Sequence, residues 1–156
     1  MALTFNPDGK KTILSIDGGG MRGVLCIALL AELESMTGKP IYEMFDMVGG
    51  TSAGAIIAAG IGIHMSAQDI LTQIYKDRLP KAFPTRDLNF WIRYVLGGLK
   101  AFYPTEPFLE ALLPYTKGRK IRDFTSPVVY MTTKDIRTSQ QYLLYCERRQ
   151  RRACLC

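Results

Sequence analysis

One pattern occurs twice in succession: a short apolar run, a glycine-rich turn, and then apolar residues at helical spacing. The first unit joins a strand pattern over 12–17, through three glycines, to a helix pattern over 24–36. The second has a strand pattern over 44–48, a tight turn over 49–54 and a small-residue helix over 55–63. Two consecutive βα units predict a doubly wound α/β fold.

The rest of the chain adds helices and a pair of strands. A capping-box pattern at Ser66 starts a helix that is expected to end near residue 79, because Pro80 follows. An aromatic stretch over 85–104 is typical of core packing, with a lid or lipid-facing flap as the alternative. Further elements are expected at 108–113 (helix), 128–133 and 141–146 (strands).

Length and charge bound the organisation of the chain. Its 156 residues fit one α/β domain, expected over 1–146, with a basic, irregular tail over 147–156. The net charge is +6, and four arginines against one glutamate in that tail account for +3 of it. We expect no nucleic-acid partner, and transient contact with an anionic membrane surface stays open.

The sequence shows no targeting or metal-binding pattern. The longest apolar stretch of interest, 53–63, is too short and glycine-rich to cross a bilayer, and the N-terminus lacks the order of a signal peptide. The four cysteines form no CxxC pair, and His64 is the single histidine, so no metal site is expected. These features predict a protein of the cytoplasm, or one peripheral at membranes.

The segment Gly50-Thr51-Ser52-Ala53-Gly54 has the form G-x-S-x-G and stands between a predicted strand and a predicted helix. A serine on so tight a turn projects its hydroxyl from the sheet edge, at a helix N-terminus that favours developing negative charge. The structural alternative is that Ser52 only caps the helix. The strand-turn-helix context favours a nucleophile.

A nucleophilic serine needs a base, and His64 is poorly placed to be one. It lies at the far end of the predicted helix, about 15 Å from Ser52 at the rise of an α-helix. A Ser-His-Asp triad is therefore hard to build. A carboxylate acting directly as general base is the arrangement that remains.

The run Asp17-Gly18-Gly19-Gly20-Met21-Arg22-Gly23 occupies the first strand-to-helix turn. Its G-x-G-x-x-G spacing is found in dinucleotide-binding loops, and an aspartate at a strand end also precedes the phosphate loops of sugar kinases. A third interpretation joins the run to Ser52: the glycine amides form an oxyanion hole, and Arg22 adds positive charge. Asp17 is then expected to bond nearby amides.

Together, the two motifs, their order and their strand context resemble those of the patatin-like phospholipases, a family of lipid acyl hydrolases. The resemblance covers about residues 10–135. It implies a three-layer α/β/α sandwich around a mostly parallel sheet, activity in lipid degradation, and no metal or organic cofactor. It also implies Ser52 as nucleophile of a Ser-Asp dyad, within an elbow of Gly50, Thr51, Ala53 and Gly54. The oxyanion hole is then built around Gly19, Gly20 and Met21, within residues 18–23.

The chain departs from this family at the dyad aspartate, which the resemblance places downstream in an Asp-Gly-Gly or Asp-Gly-Ala turn. No aspartate after Ser52 is followed by glycine, and we assign none as the base. The tail is expected to be the end of a shortened or frameshifted longer sequence, with a genuine basic tail as the alternative. Little turnover is expected from the 156-residue chain. The competing functions are a phosphate- or nucleotide-binding module using 17–23, and an inactive membrane- or protein-binding remnant.

Overall fold

The computed structural model describes residues 10–82, 105–124, 126–135, 137–147 and 150–153. A five-stranded sheet in the order β1-β2-β3-β4-β5 organises them. The first three strands are parallel, and the last two pairs are antiparallel. The strands are β1 (Ile13–Ile16), β2 (Met47–Gly50), β3 (Val128–Lys134), β4 (Gln141–Glu147) and β5 (Gln150–Ala153). The predicted α/β class with a mostly parallel sheet is confirmed: β1, β2 and β3 are parallel, and the glycine-rich turns follow β1 and β2.

The core lies on one face of this sheet. The register places Val48 opposite Val129, and both are buried. Isoleucines of the helices complete this face, with Ile57 and Ile61 fully buried against it. On the opposite face Ile13 is 62% exposed. The described helices therefore form a layer on the valine face.

The helices that follow β1 and β2 are α1 (Gly23–Thr37), α2 (Ile41–Met44) and α3 (Ala53–Gly62). Helix α1 ends as the sequence predicts, because Gly38 adopts a left-handed conformation and its N–H donates to the Glu34 carbonyl at 2.8 Å. The Glu34 carboxylate also accepts hydrogen bonds from the amides of Ile41 and Ala67, each at 2.8 Å. This one side chain connects the end of α1 to the starts of two later helices.

The next helix begins at the predicted cap but runs past the predicted end. Ser66 accepts a hydrogen bond from the Asp69 N–H at 3.0 Å. The helix comprises α4 (Ala67–Asp69), a π-helical stretch (Ile70–Arg78) and α5 (Leu79–Ala82). Pro80 does not stop it, since this residue stands in the first turn of α5, where a proline is tolerated. The expected aromatic flap over 85–104 lies outside the described residues.

The C-terminal elements are α6 (Thr105–Thr116), a 3-10 turn (Ile121–Asp123) and the β3-β4 hairpin. The predicted helix and both predicted strands are confirmed, with α6 longer than expected. The sequence predicts an irregular tail, whereas residues 150–153 form β5 and pair with β4. Backbone pairing with an existing strand does not need an alternating side-chain pattern, which is why the tail sequence did not reveal it.

Candidate active site

Both glycine-rich turns lie at the carboxyl ends of neighbouring parallel strands. β1 ends at Ile16 and β2 at Gly50, and these two residues are partners in the register. The amide of Thr51 donates to the Ile16 carbonyl at 3.2 Å, which continues the pairing into the second turn. The two motifs that were recognised separately in the sequence are therefore adjacent at the edge where open α/β sheets bind ligands.

Ser52 has the backbone of a strained turn between a strand and a helix. Its φ is 55° and its ψ is −119°, a region that non-glycine residues rarely adopt. It immediately precedes α3, yet its side chain makes no capping hydrogen bond, and the residue is exposed. The capping role that the sequence left open for Ser52 is therefore absent. Among the described residues, no group forms a hydrogen bond with this hydroxyl, which lies at the N-terminus of a ten-residue helix.

Two glycines allow the turns to approach each other this closely. A Cβ added to Gly18 would lie 2.9 Å from the Thr51 carbonyl oxygen and 3.0 Å from the Ser52 Cβ. One added to Gly54 would collide with the carbonyl group of Ile16, 2.8 Å from its carbon. Larger residues at either position would separate Ser52 from the first turn.

The amides of the first turn differ in their availability. Arg22 donates its N–H to the Gly19 carbonyl at 3.2 Å, and the amide of Gly23 is bonded to carbonyls of the same turn. Among the described residues, none accepts from the amides of Gly19, Gly20 or Met21. Gly20 has a φ of 58° with open space around it, so conformation is what requires glycine there. Within the described part of the chain, the amides of Arg22 and Gly23 are therefore occupied, whereas those of Gly19, Gly20 and Met21 are available to a ligand.

The cavity that contains Ser52 has a volume of about 660 Å³. The ends of β3 and β4 form its other wall, including Thr132 and Tyr142. The Thr132 hydroxyl donates to the Thr51 hydroxyl oxygen at 2.8 Å, a contact that connects β3 to the serine turn. The sequence predicts the strand but not this contact, because a threonine in a strand has no feature that marks a partner 81 residues away.

No carboxylate or imidazole lines this cavity within the described part of the chain. The described aspartates that follow Ser52 have local partners instead. Asp69 faces Ser66, Asp77 pairs with Lys81, Asp123 caps the amide of Lys120, and Asp135 accepts from Arg137. The Lys81 hydrogen bond lowers the pKa of Asp77. Asp87 lies outside the described residues, and the base stays unassigned.

His64 lies where the sequence predicts, beyond the C-terminal end of α3. Its Nε2 is 2.6 Å from the Ser126 carbonyl oxygen, and its ring is 4.7 Å from that of Tyr42. Because a carbonyl oxygen can only accept, this nitrogen carries the proton and donates. His64 has a structural role at the helix end opposite Ser52.

Two other aspartates bear on the dinucleotide and phosphate alternatives. The Asp17 carboxylate, expected to bond nearby amides, has no hydrogen-bond partner among the described residues, so that expectation is wrong. Asp46 precedes β2, at the opposite end of the strand from Ser52. It accepts from Lys11 at 2.7 Å and from the Thr12 amide at 2.9 Å, and these bonds lower its pKa. Asp46 is therefore not available to bind a ribose beside the glycine turn.

Tyr75 lies between the starts of the helices that follow the two glycine-rich turns, and nothing in the sequence marks it as part of the site. The residue is 1% exposed, and its hydroxyl donates to the Ala53 carbonyl at 3.2 Å. That hydroxyl lies 2.5 Å from where a Cβ on Gly23 would be. Burial is the main cause that raises the pKa of Tyr75 to about 12. One side chain thus contacts the start of α1 and the start of α3.

Comparison with known proteins gives one family. A family model described as patatin-like phospholipase matches residues 14–153 of the chain. The match includes both glycine-rich turns, all of β2 to β5 and the first part of the tail.

Several known phospholipases are similar to part of this chain. Phospholipase A I of Arabidopsis thaliana is 42% identical over 71 residues, which is 46% of this chain and 5% of that protein. The cUMP-AMP-activated phospholipase of Escherichia coli is 40% identical over 82 residues, 53% of this chain and 25% of that protein. Calcium-independent phospholipase A2-gamma of Homo sapiens is 42% identical over 64 residues, 41% of this chain and 8% of that protein. The chain thus spans no more than a quarter of the length of these relatives.

Proposed function

Since the chain belongs to the patatin-like phospholipase family, we propose that it provides the nucleophile and oxyanion hole of a lipid acyl hydrolase. The observation that carries this proposal is the conformation and exposure of Ser52. Its hydroxyl is exposed and uncapped on a strained backbone, with Gly18 of the other motif packed against it. A strained residue without a structural partner is typical of functional positions.

In the proposed reaction the Ser52 Oγ attacks the carbonyl carbon of a lipid ester. The Ser52 proton passes to a general base, the carbonyl oxygen becomes an oxyanion, and collapse of this intermediate expels the alcohol, which regains a proton. Water then attacks the acyl-serine bond, releasing a fatty acid and restoring the hydroxyl. Hydrolysis of an ester by this route requires no redox partner.

The oxyanion is proposed to bind the unoccupied amides of Gly19, Gly20 and Met21, with the N-terminus of α3 adding its favourable dipole. Arg22 is exposed and its positive charge lies in the same turn, where it would favour an anionic head group. The amides of Arg22 and Gly23 do not contribute, because both are bonded within the turn.

The general base is proposed to be an aspartate that pairs directly with Ser52, as the family resemblance implies. None of the described aspartates lines the cavity of Ser52. We therefore expect slow acylation and little turnover from the 156-residue chain, since a neutral hydroxyl is a weak nucleophile. A phospholipid or related ester is the proposed substrate, reached by transient contact with a membrane surface.

The test is covalent labelling with a fluorophosphonate probe, followed by mass spectrometry to locate the modified serine. We expect Ser52 to react in preference to other serines, because the oxyanion hole acts without the base. Ser52→Ala should abolish this labelling. Ser139→Ala is the matched control, since Ser139 is another exposed serine with a positive φ, 58°, and lies in a hairpin turn.

Two results would overturn the assignment of Ser52. One is labelling that persists in Ser52→Ala. The other is a labelling pattern in the folded protein equal to that of the urea-denatured chain, which would mean that the fold does not activate this hydroxyl.

A further inference from the structure

A second cavity, with a volume of about 300 Å³, lies along α3 and is separate from the cavity of Ser52. Its walls are apolar: Ala59 of α3 and Ile63, the residue after that helix, line it with Leu112 of α6, Phe124 and Met131. This volume is at the lower end of the roughly 300–1,000 Å³ typical of small-ligand sites. Polar ligands would lose their hydration against such walls without gaining partners.

The rim of this cavity is basic. Arg119 and Lys120 both line it, and both are exposed. They belong to the segment 117–122, which contains four basic residues, and Asp123 is the acidic residue that follows. The Asp123 carboxylate accepts a hydrogen bond from the Lys120 amide at 2.7 Å, and Arg119 donates a long hydrogen bond of 3.5 Å to the Ile63 carbonyl. Within the described residues, the Lys120 ammonium has no ion-pair partner.

A contact with Arg78 fixes the position of Tyr115 in one wall of the cavity. Arg78 donates from its Nε to the Tyr115 hydroxyl at 3.1 Å, and its guanidinium lies 5.3 Å from the centre of that ring. Tyr115 lines the cavity, and this bond satisfies its one strongly polar group. The wall is therefore preorganised as an apolar surface.

We propose that this cavity binds a single acyl chain whose anionic head group lies against Arg119 and Lys120. The apolar walls fit the chain, and the unpaired positive charge at one end fits a carboxylate or phosphate. The rim adjoins Ile63, eleven residues after Ser52, which is about 16 Å along a helix. A head group bound there is remote from the nucleophile, so the site would hold a product or a regulatory lipid rather than a scissile ester.

Free fatty acids and lysophospholipids share this chemistry, and the experiment separates them. Isothermal titration of the Ser52→Ala chain would use decanoate and a lysophosphatidic acid with the same chain, both below their critical micelle concentrations. Ser52→Ala prevents turnover, and binding does not depend on whether Ser52 is a nucleophile. We expect saturable one-to-one binding of at least one ligand, and none of acetate or inorganic phosphate alone.

Two further substitutions locate the site. Ala59→Phe should fill the cavity and abolish binding, whereas Ala28→Phe, on an exposed part of α1, should leave it intact. Lys120→Gln should weaken binding about threefold, the usual size of one exposed ion pair. Lys76→Gln is the control, because Lys76 is exposed and lies outside the cavity. It makes the same change in net charge and should not affect binding.

Absence of binding by both ligands would overturn the proposal, as would undiminished binding to a folded Ala59→Phe variant. Should Ala59→Phe fail to fold, Lys120→Glu tests whether the basic rim contributes to binding. We expect Lys120→Glu to lose more affinity than Lys120→Gln. Equal binding of decanoate and the uncharged decanol would show that the basic rim plays no part, and would also overturn it.

Discussion

At the scale of single residues, the site depends on a few side chains that fix two turns against each other. Tyr75 is the deepest of them: it is buried, and its hydroxyl reaches Ala53 beside the nucleophile while occupying the space next to Gly23. A buried hydroxyl with an acceptor contributes about 1 kcal/mol of stability. Its larger effect is expected to appear when the pH is raised.

Tyr75 makes the stability of the fold sensitive to alkali. Burial raises the pKa of Tyr75 from its ordinary value of 10.0 to about 12, so the folded state retains a proton that the unfolded state loses. The contribution of Tyr75 to the free energy of unfolding is therefore present in full below pH 10 and is lost as the pH rises towards 12. The loss is on the order of 2 kcal/mol. Urea titrations at several alkaline pH values should show this loss, and Tyr75→Phe should remove it. Parallel pH curves for both proteins would contradict the assignment.

Gly54 is the most constrained position of the serine turn. In Gly54→Ala the new methyl group would meet the Ile16 carbonyl, which is backbone and cannot rotate away. We expect a loss of about 3 kcal/mol or more in the free energy of unfolding, measured by chemical denaturation.

Gly60→Ala is the matched control for Gly54→Ala in the same helix. Its added Cβ meets no backbone: the nearest atoms are at the end of the Ile70 side chain, 2.8 and 3.0 Å away, and the Met65 sulfur is 4.0 Å away. A stability change within about 1 kcal/mol is expected there, because alanine also favours the helix. Equal losses in the two variants would mean that the turn geometry is not the cause.

At the scale of elements, the sequence predicted what local patterns determine. The glycines after β1 and β2, the apolar spacing of α1 and the cap at Ser66 each specify their own element, and all are confirmed. It could not predict that β5 forms, because a short arginine-rich segment becomes a strand only through its partner. In the site, the sequence alone predicted that Ser52 and the glycine turn lie side by side. It could not predict the contacts of Tyr75 and Thr132, because their partners belong to elements distant in the chain.

Thr132 couples the β3 strand to the serine turn. Its hydroxyl bonds to Thr51 in an exposed setting, so Thr132→Val should change stability by less than about 1 kcal/mol. It should nevertheless slow fluorophosphonate labelling of Ser52, because the turn loses its side-chain contact with the neighbouring strand. Thr133→Val is the matched control, since Thr133 lines the same cavity. Identical labelling rates in the two variants would exclude a positioning role for Thr132.

At the scale of the whole molecule, charge and exposed apolar surface suit contact with a lipid surface. None of the described helices has both the length and the apolar character needed to cross a membrane. On α1, however, Leu25 and Leu29 are 67% and 72% exposed, one turn apart, on the helix that begins at the glycine turn. Full burial of a leucine side chain in an apolar environment is worth about 1.5–3 kcal/mol, whereas a basic residue near an anionic surface adds about 1 kcal/mol.

These contributions predict two components of vesicle binding with different responses to salt. The chain should cosediment with phosphatidylglycerol vesicles and lose part of this binding at high salt, where the charges are screened. Leu25→Ser with Leu29→Ser should remove most of the binding that survives high salt, by at least about tenfold. Ala28→Ser, on the exposed side of the same helix, is the control and should bind as the unaltered chain does. Unchanged binding of the double variant at high salt would show that α1 does not face the membrane and that another apolar surface carries the salt-resistant binding.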